Sequence, residues 1–148
     1  MDQLDQIDRN IIKALEADGR LSMAELSAAV GLSKTPVQAR VKRLEAEGYI
    51  KGYRAAIDWA RLGEAHLAFV QVTLSDTRSK ALLEFNKAAK TIPSIEECHM
   101  IAGNFDYLLK VRTKDIATYR RVLGEAISAM PHVAHTSTFV VMEAVSDK

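Results

Sequence analysis

The residues best suited to chemistry in this 148-residue chain fall between Ser33 and Arg54. Ser33, Thr35 and Gln38 carry hydroxyl and amide groups of the kind that hydrogen-bond base edges, and Gln38 can make a paired contact with adenine. Lys34, Arg40, Lys42, Lys51 and Arg54 are cations of the kind that contact phosphates and set register rather than sequence. Arg40 has a second reading, as the ion-pair partner of a carboxylate such as Asp8. Charge is distributed to match. From Met1 to Leu32 there are three basic and six acidic residues, whereas from Ser33 to Arg54 there are six basic and two acidic. The net charge of +1 hides this concentration, which is the footprint a phosphate backbone requires.

These side chains need a rigid mount, and the flanking sequence supplies one. Ser22 and Glu25 form a capping box, and Leu21 with Leu26 a hydrophobic staple. Leu26, Ala29 and Val30 give a short helix one apolar face, and Gly31 ends it. Ser33 caps a second helix with Pro36 in its first turn and with Val37, Val41 and Leu44 facing inward. Gly48 stops it. The span Met23 to Lys42 therefore has the pattern of a helix-turn-helix whose second helix fits a major groove. The plainer alternative is a helical hairpin with a solvated charged face. Before it, residues 4–17 read as a helix with Leu4, Ile7, Ile11 and Leu15 buried, and with Asp2 and Asp5 favouring its dipole. After it, residues 49–58 read as an extended wing that carries Lys51 and Arg54 to phosphates.

The second half changes style. Residues 66–74 and 95–101, then 106–112 and a last stretch within 132–145 centred on 138–142, read as strands. Residues 79–90 and 115–129 read as helices, the latter with Ile116, Tyr119, Leu123 and Ile127 buried. The order β-α-β-β-α-β is that of a ferredoxin-like antiparallel sandwich. The expected fold is α+β: a winged helix-turn-helix domain over 1–52, a linker over 53–65 and the sandwich over 66–148. Leu67 and Phe69 lie at one parity of the first strand and Ala68, Val70 and Val72 at the other, so the open sheet face is expected to pack on a second copy, burying about 1,600 Å² or more.

Composition and motifs exclude several functions. Hydrophobic residues make up 48% and charged residues 26%, enough for a core. No apolar run is long enough to span a membrane and no signal peptide opens the chain, so a cytoplasmic protein is expected. The single Cys98 makes no internal disulfide. Cys98 and His99 are adjacent on a strand and point to opposite faces, and His132 and His135 have no further ligands beside them. No catalytic residue, metal site or cofactor-binding loop is assigned.

With both halves in hand, the chain resembles the Lrp/AsnC (feast/famine) family of transcription regulators, nearest its leucine-responsive branch. The resemblance rests on residues 4–11, Gly31-Leu32-Ser33, 40–45 and Gly48-Tyr49-Ile50 in the first half. In the second it rests on Glu97-Cys98-His99, 103–110 and Val140-Val141-Met142-Glu143. It implies a nucleoid-associated regulator that binds double-stranded DNA, forms dimers and often tetramers to octamers, and takes leucine or another small amino acid as effector between dimers. Gly103, Asn104, Phe105 and Asp106 match the family's loop near that pocket. Met100, Ile116, Ser128, Phe139, Val140 and Val141 align with positions that shape effector response. Asp106 is the candidate acceptor for the ligand ammonium, directly or by holding the loop. The Gly103 and Asn104 amides are candidate donors to its carboxylate, and Met100, Ile116 and Val141 candidate walls of an apolar slot. Phe139 replaces the tyrosine usual in that branch, and Lys34, Val37 and Gln38 replace proline, cysteine and leucine. The first departure bears on the effector, the second on the operator. Three rival functions remain open at this point: an amino-acid-sensing metabolic regulator that does not bind DNA, an enzyme built on the sandwich, and an architectural DNA-binding protein.

Overall fold

In the computed structural model, residues 4–147 are described, and the chain divides into two compact units, one running to Ile57 and the other beginning at Asp58. Asp2, expected to favour the first helix dipole, lies outside the described residues.

The first unit holds three helices, α1 (Gln6–Ala17), α2 (Met23–Val30) and α3 (Lys34–Ala46). Helix α1 begins two residues later than the apolar stripe predicts, because Asp5 takes the N-cap. Its side chain accepts from the Asp8 amide while the Asp8 side chain accepts from the Asp5 amide. Ser22 and Glu25 make the same reciprocal box on α2, and Gly31 closes that helix at φ 73°, where a Cβ is strained. Ile11, Leu15, Leu26, Val37, Val41 and Leu44 form the core of this unit, with Leu4, Ile7 and Leu21 packed against it. One expectation changes here. Ser33 holds the N-cap position of α3 but makes no side-chain capping hydrogen bond. Residues 51–58, expected as an extended wing, hold neither helix nor strand and pair with nothing as a ladder.

The second unit opens on a turn at Trp59. It then builds β1 (His66–Leu74), α4 (Ser79–Ala89), β2 (Ile95–Met100), β3 (Tyr107–Thr113), α5 (Ile116–Val122) and β4 (Val133–Val140). The sheet is antiparallel in the order β2-β3-β1-β4. Ala68, Val70, Val72 and Leu74 of β1 with Tyr107, Leu109 and Val111 of β3 form the core with Phe85 and Ala89 of α4 and Tyr119 of α5.

The second helix does not run unbroken to residue 129. After Val122 the chain makes one π-helical turn, Leu123–Ile127, in which the Ser128 amide donates to the Leu123 carbonyl at 2.8 Å. Gly124 sits in that turn and lowers its α preference. Ile116 is half-exposed rather than buried, because it opens α5 just past the end of β3. Strand β4 ends at Val140, so Val141 and Met142 lie beyond it, and Met142 is fully exposed.

Candidate nucleic-acid interface and effector site

In the first unit, Val37, Val41 and Leu44 anchor α3 in the core, and the opposite face of the helix is turned outward. Thr35, Gln38 and Lys42 recur at i, i+3 and i+7 on that face. All three are exposed, as are Ser33 and Lys34 ahead of them and Lys51 and Arg54 on the arm. Among the described residues, none of Lys34, Lys42, Lys51 and Arg54 enters an ion pair, so four cations stand without internal counter-charges.

Arg40 is different, and the structure favours its second reading, as an ion-pair partner of Asp8. Its Nη1 donates to Asp5 Oδ2 at 2.6 Å and to Asp8 Oδ1 at 2.8 Å, while Arg43 Nη2 donates to Asp8 Oδ2 at 2.6 Å. Arg40 and Arg43 are three residues apart and share the flank of α3 that faces α1, so tertiary packing turns them away from the exposed face. Asp8 is 1% exposed. Burial pushes its carboxyl upward, but the Arg43 and Arg40 guanidiniums and the Asp5 amide outweigh that and hold it at about 2. This cluster locks the angle at which α3 presents Thr35 and Gln38. The sequence reading named Asp8 only as a partner and missed Arg43.

The arm after α3 is tied down at two points. Ile50 donates its amide to the Leu44 carbonyl at 3.1 Å and packs on the core. The Tyr53 hydroxyl donates to Glu45 Oε1 at 2.8 Å. Burial first, and then this bond to a carboxylate, raise the Tyr53 hydroxyl to about 12.

In the second unit the expected effector residues fall into two groups. The Asp106 amide donates to the Val72 carbonyl, whereas the Val141 amide donates to the Leu67 carbonyl, both at 2.9 Å. Five residue steps along β1 separate these anchor points, about 17 Å along the strand. Met100 and the loop Gly103, Asn104, Phe105 and Asp106 therefore lie at one end of the sheet, and so does Ser128 near the start of β4. Phe139, Val140, Val141 and Ile116 lie at the other. The apolar slot expected from Met100, Ile116 and Val141 is not formed within one chain, because antiparallel pairing sends the two ends of the motif set apart.

At the loop end, Asp106 Oδ2 accepts from the Leu74 amide at 2.7 Å, which staples the β2–β3 turn to the end of β1. The carboxylate thus holds the loop. The amides of Gly103 and Asn104 have no hydrogen-bond partner among the described residues and are exposed, so they remain available as donors. A Cβ on Gly103 would meet only the Ile101 side chain at 3.6 Å, so neither backbone conformation nor crowding within this chain demands glycine there.

The open sheet face has two stripes. Leu67 and Phe69 of β1 with Phe139 of β4 make an apolar one, with Phe69 paired directly to Phe139. On β2 and β3 lies a charged one, in which Lys110 reaches Glu97 at 3.4 Å and Glu96 at 3.6 Å, and Arg112 pairs with Glu96. The Arg112 guanidinium carbon also lies 5.1 Å from the centre of the Trp59 ring, so the turn that opens this unit packs on its sheet. His132, left unassigned by sequence, donates from Nε2 to Glu84 Oε2 at 2.7 Å and holds φ 67°.

Comparison with known proteins places both halves. A winged helix-turn-helix DNA-binding model matches residues 4–51, and an Lrp/AsnC ligand binding domain model matches residues 67–148. A proline dehydrogenase transcriptional activator of Rhizobium radiobacter is 61% identical, covering 99% of this chain and 94% of its own. The leucine-responsive regulatory protein of Escherichia coli K12 is 47% identical, covering 96% of this chain and 87% of its own. Among solved structures, a transcriptional regulator from Neisseria meningitidis in complex with L-Met superposes with a TM-score of 0.91 at 26% identity, over 98% of this chain and 94% of that one.

Proposed function

We propose, from the premise that the chain belongs to the Lrp/AsnC family of transcriptional regulators, that it controls a proline dehydrogenase gene and responds to a small amino acid, proline foremost. The observation that carries the target is the 61% identity, across nearly the whole chain, to a relative named for that gene. Leucine and methionine are the other candidates, from a relative and a structural neighbour named with them.

On this reading Ser33, Thr35 and Gln38 touch base edges, and Lys34, Lys42, Lys51 and Arg54 touch phosphates. Two copies join through the Leu67–Phe69–Phe139 stripe, and larger assemblies bring the loop of one copy against residues such as Phe139 and Val141 of another. The 17 Å gap supports this, since a ligand that contacts both groups needs two chains. Gly103 and Asn104 amides would take the amino-acid carboxylate, with Asp106 holding the loop that presents them. The assembly works in the cytoplasm on the nucleoid.

The test is a mobility-shift titration on a proline dehydrogenase promoter fragment at stated salt, with and without proline, leucine and methionine. Wild type shifts the fragment and proline changes its affinity. Thr35→Ala with Gln38→Ala abolishes the preference for that fragment over scrambled DNA, a loss of about 1–3 kcal/mol per paired contact. A shift that ignores every amino acid would leave an architectural DNA-binding protein, and no shift at all would remove the DNA assignment.

A further inference from the structure

We infer that Tyr53 is a positioning residue for DNA binding: seated on Gly19 and bonded to Glu45, it fixes where Lys51 and Arg54 stand. The inference rests on the reading of those two cations as phosphate contacts and goes beyond it by naming what aims them.

A strand-built wing is held by a ladder of backbone hydrogen bonds, and this arm has none. Among the described residues, the one hydrogen bond made by residues 51–57 is that of the Tyr53 hydroxyl. The Tyr53 ring supplies the other attachment. Its Cδ1 lies 3.4 Å from where a Cβ on Gly19 would stand, so the ring sits beside the chain just past the end of α1. Gly19 has no positive φ and room for a methyl in van der Waals contact with the ring, so a branched side chain there, not a single Cβ, is what would push Tyr53 off its seat. The two contacts converge from different elements. Gly19 follows α1 and Glu45 is in the last turn of α3, so Tyr53 bridges the helices and the arm runs along a groove beside Leu15.

Chain connectivity does the rest. Lys51 is two residues before the clamp and Arg54 one residue after it, and both are exposed. With the clamp closed, two cations are held at fixed positions along the groove at the end of α1. With it open, residues 51–57 keep no hydrogen bond, and the Ile50 anchor that remains holds only the start of the arm, so the cations are no longer fixed. Each phosphate contact contributes about 0.9 to the slope of log affinity against log salt. Base reading, which belongs to α3, does not depend on the clamp.

The experiment measures operator affinity of the full chain across a salt series, for specific and scrambled duplexes. Tyr53→Ala and, from the opposite side of the contact, Gly19→Val should each lower the salt slope by about 1–2. The ratio of specific to scrambled affinity at fixed salt should stay within about twofold of wild type; a general loss of folded protein would instead scale every apparent affinity by one factor and leave the salt slope unchanged. Lys51→Ala with Arg54→Ala should lower the slope by a similar amount, and adding Tyr53→Ala to that pair should lower it no further. If the cation pair leaves the slope unchanged, the phosphate reading of the arm fails. If the cation pair lowers it while Tyr53→Ala and Gly19→Val do not, the clamp alone is overturned. A full additional loss in the combined variant also overturns it, because Tyr53 would then act by another route.

Discussion

Asp8→Asn keeps the shape of a buried side chain and one acceptor while removing the charge that holds Arg40 and Arg43. The Asp8 carboxyl stands at about 2 against an ordinary 3.8. At about 1.4 kcal/mol per unit, its ionised form contributes about 2 kcal/mol to the first unit at neutral pH. A folded value below the unfolded one gives stability that is complete well above 3.8 and drains away as pH falls toward 2. The variant also leaves two guanidiniums, 27% and 32% exposed, without their counter-charge. Removing one partner of a fully buried pair costs about 3–5 kcal/mol, and partial exposure of the arginines lowers that, so the expected loss is about 2–4 kcal/mol. Cores of such small units supply about 3–5 kcal/mol in all, so the variant should sit near its unfolding midpoint. Hydrogen exchange of the full chain reads this directly: protection of α1 and α3 should collapse while the sheet amides and the Trp59 signal of the second unit hold. At pH 3 the gap between wild type and variant should narrow by about 1 kcal/mol. Protection of α3 within about 0.5 kcal/mol of wild type at pH 7 would refute the reasoning, since that is the range of an ordinary surface change.

Other outcomes follow from the same geometry. Phe69→Asp, on the open sheet face opposite Phe139, should leave the fold intact and shift sedimentation equilibrium toward monomer. Asp106→Ala strips the Leu74 amide of its acceptor, at about 1–3 kcal/mol if that amide stays unpaired. In a calorimetric titration it should weaken amino-acid binding at least tenfold by loosening the loop, and unchanged binding would remove Asp106 from the site. Gly31→Ala forces a Cβ into the left-handed region at a cost of about 1–2 kcal/mol. The thermal midpoint of the first unit should fall by several degrees, roughly 4–8 °C per kcal/mol for a unit of this size.

Local chemistry was legible in the chain alone. The Ser22–Glu25 box, the Gly31 stop and the inward stripe Val37, Val41, Leu44 were readable because caps and helical periodicity involve residues within a few positions of each other. The parity of β1 was readable for the same reason, and so was the exposure of Thr35, Gln38 and Lys42. Family resemblance then extended to function what the local pattern offered only as an option.

The tertiary structure decided what depends on residues far apart in sequence. Whether Arg40 faced phosphate or carboxylate was open until α1 brought Asp8 against it across 32 positions. Tyr53 gave no signal, because its seat at Gly19, just past α1, and its partner Glu45 on α3 lie far from one another in sequence. The effector motifs read as one set, yet antiparallel register sends Met100 and Val141 to opposite ends of the sheet. Periodicity fixes which face a residue takes on its own element. Only packing between elements fixes what that face meets, and a charged or aromatic side chain takes its role from what it meets.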